Sequence, residues 1–137
     1  MQTRLNPYLN FPGTARAAME FYHRVFGGEL KMNTFGEFGS PDPGLADQIM
    51  HAQLESANGF VLMASDTAPG MNHVPGTTIA ISLSGDDADE LRGYWEQLSA
   101  SGSVTMPLEK QMWGDEFGMC VDPYGVNWMV DIVQPQA

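Results

Sequence analysis

Apolar residues recur along this chain with two periods. Residues 4–11, RLNPYLNF, have the look of an extended strand, and GTARAAMEFYHRVFGG then sets Ala18, Phe21, Tyr22 and Val25 at helical spacing. Thr14 stands where a helix N-cap is needed, and Gly27 and Gly28 where a helix stops. Three strand-like runs follow near 29–38, 48–55 and 60–65, separated by the turn-rich GSPDPG and by ANG. The same order then returns. TTIAISLS predicts a strand, and DDADELRGYWEQLSASG a helix with Leu91, Tyr94, Trp95 and Leu98 on one face. Asp87 with Glu90 three positions later resembles a capping box, and Gly102 is the expected stop. Strands near 103–112, 116–121 and 126–132 complete the second set. The reading is therefore α+β: two βαβββ modules, residues 1–66 and 77–133, joined by a Pro/Gly-rich linker over 67–76.

Composition narrows the classes. A chain of 137 residues is the right size for one domain or two small fused halves. Its longest apolar runs fall well short of the ~20 residues that cross a bilayer as a helix. The N-terminal MQTRLNPYLNF lacks the basic, apolar and small-residue sequence of an export signal, so the expected location is the cytoplasm. Cys120, the only cysteine, allows no internal disulfide. Acidic residues outnumber basic ones 17 to 6, for a net charge of −11, which argues against nucleic acid or an anionic membrane as partner.

The paired βαβββ plan carries further signatures in order: FYHRVFGGEL after the first helix, IMHAQL and LMASD in the middle strands, WGDEFG, and DPYGVNWMV at the end. Together they resemble the vicinal oxygen chelate superfamily, which includes glyoxalase I, extradiol dioxygenases, fosfomycin-resistance enzymes and bleomycin-resistance proteins. Within it they are most similar to the PhnB-like branch, grouped under a 3-demethylubiquinone methyltransferase heading. The resemblance implies a partly open, mixed β-barrel of glyoxalase type and a homodimer. In the metal-dependent members it also implies a divalent metal held by side chains from the first and a later strand of each half. Carried over by motif, those positions fall at Pro7 or Tyr8, at Gln53, at Thr78 and at Met129. Proline has no ligating side chain, Gln53 and Thr78 are weak oxygen donors, and a thioether is a poor partner for a hard cation. No metal is expected at the usual positions.

Side chains two apart on a strand share a face, so His51 goes with Gln53 and Asp131 with Met129. His51 and Asp131 are therefore the candidate catalytic residues of a displaced site, His51 as a metal ligand or general base. With Glu37 or Glu55 as a third donor, a divalent metal is possible there. Trp113 and Phe117 are candidates for the aromatic wall of a ligand cavity that also draws on Tyr8, Gln53, Thr78, Asp115 and Met129. Asp115 also suits a turn, and Trp113 and Phe117 also suit a core or dimer contact. Asp122-Pro123-Tyr124-Gly125 has the residues of a type I turn, and Trp128, opposite Met129, is expected to pack on a helix. His23 and His73 are expected to be solvated. Cys120 reads as a small buried apolar group, and most of the ten methionines as adaptable packing.

Three functions follow. The first is binding of a small organic molecule in an apolar cavity, with no cofactor. The second is a metal-dependent lyase, isomerase or dioxygenase centred on His51 and Asp131. The third is a 3-demethylubiquinone methyltransferase-like enzyme, disfavoured because no G-x-G-x-G turn opens a helix.

Overall fold

The computed structural model describes residues 3–40, 42–67 and 71–134. The chain forms two compact units, Met1–Val74 and Pro75–Ala137. The expected linker over 67–76 spans their boundary, and its residues 68–70 lie outside the described ones.

In the first unit β1 (Tyr8–Phe11) leads through Pro12 and Gly13 into α1 (Ala15–Phe26), followed by β2 (Glu29–Thr34), β3 (Ile49–Glu55) and β4 (Val61–Asp66). Helix α1 opens with good helix formers and buries Ala15, Ala18, Met19, Tyr22, Val25 and Phe26, the stripe that its spacing predicts. The expected cap does not form, for Thr14 makes no side-chain cap bond. A distant residue replaces it. Asp66, at the end of β4 and 2% exposed, accepts from Ala15 N through Oδ1 at 2.9 Å and from Ile49 N through Oδ2 at 2.8 Å. The helix ends as expected: Gly27, at φ 69°, donates its N–H to His23 O. Gly28 has φ 93°, and a Cβ there would lie 1.9 Å from Glu55 O.

Strand β2 is shorter than the sequence suggests. It stops at Thr34, whose Oγ1 accepts from Glu37 N at 3.2 Å and starts a 3-10 turn at Gly36–Phe38. The sheet order is β1-β4-β3-β2, with β1 parallel to β4 and the other pairs antiparallel. Helix α1 covers one face, where Ala52, Leu54, Leu62 and Ala64 are buried.

The second unit repeats this order: β5 (Ile81–Gly85), α2 (Ala88–Ser99), β6 (Ser103–Lys110), β7 (Glu116–Val121) and β8 (Asn127–Ile132), in sheet order β5-β8-β7-β6. Asp87 caps α2 by accepting from Glu90 N at 3.1 Å, and the Glu90 carboxylate accepts from Tyr94 Oη at 2.6 Å. Leu91, Tyr94 and Leu98 are buried, while Trp95 is half-buried and reaches toward Gly118. Gly102 follows the helix because β7 passes so close that a Cβ would meet Val121 O at 2.0 Å. The DPYG segment is a turn in which Gly125 N donates to Asp122 O. The buried Asp122 carboxylate accepts from Tyr124 N, Val126 N and Trp128 Nε1. Trp128, 1% exposed, shares its face with Val130 and packs on the α2 side. Neither sheet closes on itself: β1 and β2 are the outer strands of one, and β5 and β6 those of the other.

Candidate functional site

Each sheet has one face turned away from the helix of its own unit, and the chemistry-bearing side chains collect there. In the first unit, register aligns Tyr8, Met63, Gln53 and Lys31 in one row. His51 faces Asn33 and Glu55 faces Glu29 in flanking rows. Tyr8 reaches out of its row, and its hydroxyl lies 3.1 Å from His51 Nδ1, with ring centroids 5.7 Å apart and planes 30° apart. Beside them a groove of about 240 Å³ is lined by Glu29, Lys31, Asn33, His51, Gln53 and Glu55. Glu37, expected as a possible metal donor, sits on the 3-10 turn. Hydrogen bonds from Asn33 and then from Thr34 hold its carboxyl below the usual value.

In the second unit the corresponding face is more apolar. Met106, Met119, Met129 and Ser82 form one row, and Phe117, Asp131 and Ser84 the next. Trp113, on the loop between β6 and β7, meets Phe117 edge to face at 6.0 Å between centroids. That loop is closed by Gln111 N donating to Asp115 O at 2.8 Å and Gly114 N donating to Gln111 O at 3.0 Å. Asp115 closes the loop through its backbone carbonyl, and its carboxyl lies beside that of Asp131. Burial first, then the hydrogen bond and charge of Asp115, push the Asp131 carboxyl above its ordinary pKa. Oδ1 of Asp131 is buried and meets no donor. Two carboxylates offer only acceptors, so this pair is satisfied only when one of them carries a proton.

The structure gives the candidate residues these places. Tyr8, His51 and Gln53 share the first face; Trp113, Phe117, Asp115, Met129 and Asp131 share the second. The two candidate catalytic residues fall in separate units, His51 with Tyr8 as its partner and Asp131 with Asp115. Thr78 stands apart, because β5 begins only at Ile81 and Thr78 precedes it. The side chains that share a face with Met129 and Asp131 are Ser82 and Ser84. The sequence reading missed both. Their signal was the parallel register, which an apolar run such as TTIAISLS does not specify.

The usual metal positions, expected at Pro7 or Tyr8, at Gln53, at Thr78 and at Met129, bring at most a phenol, an amide, a hydroxyl and a thioether. They do not fit a divalent cation. The displaced set gains no third donor, since the described residues hold no group of three or more His, Cys, Asp or Glu side chains able to bind a metal. His23 and His73 are not simply solvated: His23 Nε2 donates to Gly28 O at 2.9 Å and His73 Nε2 to Asn10 O at 3.1 Å. Cys120 is buried, and burial followed by the charge of Asp122 pushes its thiol up to about 11.

The model of the Glyoxalase/Bleomycin resistance protein/Dioxygenase superfamily matches residues 4–130. The chain belongs to this superfamily. Protein YjdN of Escherichia coli (strain K12) is 28% identical to this glyoxalase-superfamily chain over 144 residues, covering 96% of it and 97% of YjdN. Among solved structures, protein PA1353 from Pseudomonas aeruginosa has a TM-score of 0.85 at 40% identity, covering 98% of this chain and 100% of that one. A Bacillus cereus protein described as a putative 3-demethylubiquinone-9 3-methyltransferase, PhnB protein, has a TM-score of 0.75 at 23% identity, covering 96% and 100%. It shares the fold. The described residues of this glyoxalase-superfamily protein include no helix long and apolar enough to cross a membrane.

Proposed function

We propose that this glyoxalase-superfamily protein binds a small organic molecule against the helix-free face of its second sheet, through apolar contacts and a carboxyl pair. The reading is carried by one observation: Met119, Met129 and Phe117 lie together on that face beside a buried Asp131 oxygen that meets no donor. Thioethers and aromatic rings make an adaptable apolar wall. A carboxyl beside it supplies the polar group that orients a ligand. Trp113, 62% exposed, extends the wall from the loop. The donor set supports binding of this kind over a metal-dependent lyase, isomerase or dioxygenase. The proposal includes the homodimer that the superfamily resemblance implies, which sedimentation velocity tests as twice the chain mass against once.

The ligand reading is tested with 1-aminoanthracene, an apolar ring system bearing one amine, followed by its fluorescence. Saturable binding that weakens about tenfold in Trp113→Ala or Phe117→Ala supports it, the loss of one aromatic contact being worth on the order of 1 kcal/mol. Met112→Ala serves as the control, since Met112 is fully exposed. Binding that ignores Trp113 and Phe117, or that never saturates, contradicts it.

A further inference from the structure

The groove on the first sheet stands on observations separate from those of the second. Tyr8 and His51 are not strand neighbours: Tyr8 registers with Met63 on β4, and His51 with Asn33 on β2. Strand pairing therefore does not impose their contact. The phenol leans across β4 and holds one imidazole nitrogen at 3.1 Å.

The other two histidines give a contrast. Each directs Nε2 at a backbone carbonyl, which only accepts, so their neutral rings carry the proton on Nε2. His51 instead has a hydroxyl as its partner, and at Nδ1. A hydroxyl accepts as well as donates, so Tyr8 Oη can accept from Nδ1–H of His51 and leave Nε2 with a free lone pair. Among the described residues Nε2 of His51 has no hydrogen-bond partner.

The rest of the groove is rich in acceptors. The Gln53 amide donates to Glu55 Oε1 at 3.1 Å, and the Asn33 amide to Glu37 Oε2 at 3.2 Å. Those carboxylates need donors, so both amides turn their NH2 groups to them and keep their carbonyl oxygens for other partners. The Lys31 ammonium lies 3.7 Å from Glu29. Next to an imidazole lone pair, these oxygens complement a ligand that brings several N–H or O–H groups.

We propose that this groove binds a small, donor-rich polar molecule, of the amino-alcohol or polyol class. His51 Nε2 accepts from it, and Tyr8 is the positioning residue that keeps the imidazole proton on Nδ1.

The test uses the full chain labelled with 15N at histidine. Ring 15N–1H correlation spectra distinguish the two tautomers, and tris(hydroxymethyl)aminomethane, with one amine and three hydroxyls, is the probe. The expected result is an Nδ1–H tautomer at His51 and Nε2–H tautomers at His23 and His73. The probe produces a saturable shift at His51 alone. Tyr8→Phe, which keeps the ring and removes the hydroxyl, mixes the His51 tautomers and weakens the probe about tenfold, and His51→Gln abolishes binding. Circular dichroism of each variant confirms that it folds. Four results would overturn the proposal: an Nε2–H tautomer at His51 in the wild type, an unchanged tautomer in Tyr8→Phe, no saturable shift, or the same shift from ammonium chloride at equal ionic strength. These results are read at His51, and those of the 1-aminoanthracene test at Trp113 and Phe117, so either reading can fail alone.

Discussion

Asp131 couples this protein to pH through one proton. Its carboxyl is raised by burial and by Asp115, so the folded state holds that proton more tightly than the unfolded chain does. The contribution to stability is complete below the ordinary carboxylate range and is lost as pH rises through the raised folded value. Asp131→Asn keeps the shape, removes the charge and supplies an N–H to Asp115. Denaturant midpoints measured from acid to neutral pH should fall less steeply for this variant than for wild type, and at neutral pH it should be the more stable. Equal slopes would mean that the two carboxyls do not share a proton. Cys120 gives a second expectation at this scale. A buried thiol pushed up to about 11 is protonated at neutral pH, so iodoacetamide should label it only after unfolding. The residue types at both positions were legible in the sequence, and so was the burial of Cys120. The partnership of Asp115 with Asp131 was not, because it joins a loop to a strand through the register of β7 with β8.

Helix ends show how local signals and tertiary contacts divide the work among the elements. Asp87 caps α2 from the adjacent position, as its sequence context says. Thr14 stands at the same position before its helix, without an acidic residue in the first turn, and does not cap, since Asp66 takes over from a strand end far along the chain. Thermal or urea unfolding should therefore show little effect of Thr14→Ala, below the ~1 kcal/mol usual for a lost cap. Asp66→Ala should cost about 3 kcal/mol, because two buried N–H groups lose their acceptor at ~1–3 kcal/mol each. The reverse ranking would restore Thr14 as the cap. Glycines divide in the same way. Gly28 and Gly59 both have positive φ, yet only Gly28 is pressed against backbone, with Glu55 O where its Cβ would sit. Gly28→Ala should thus destabilise the protein more than Gly59→Ala, which meets only conformational strain. The first strand of each module was read as starting too early, at residue 4 where β1 opens at Tyr8 and at residue 77 where β5 opens at Ile81. Hydrophobic alternation does not say where pairing begins, and Thr78 was placed on a strand that opens at Ile81.

For the molecule as a whole, the tandem βαβββ order was legible because it is written twice, each time as a strand, a helix followed by glycine, and three strands. The superfamily followed from that order together with the short motifs, and the match over residues 4–130 agrees. What the motifs carry less well is chemistry. DPYGVNWMV marks the turn and strand that hold a carboxylate ligand in metal-dependent members of the family it resembles. Here Met129 lies on a row of thioethers, and the neighbouring carboxyl, Asp131, is engaged with Asp115. The central claim is that this altered face holds an organic ligand. It is tested most directly by 13C-methyl methionine spectra of the protein in EDTA during titration with 1-aminoanthracene. The prediction is a saturable shift of the Met119 and Met129 methyl signals, with Met19, on the buried stripe of α1, unmoved. The claim is contradicted if those two signals stay in place, or if the only signals to move are those of the exposed Met71 and Met112.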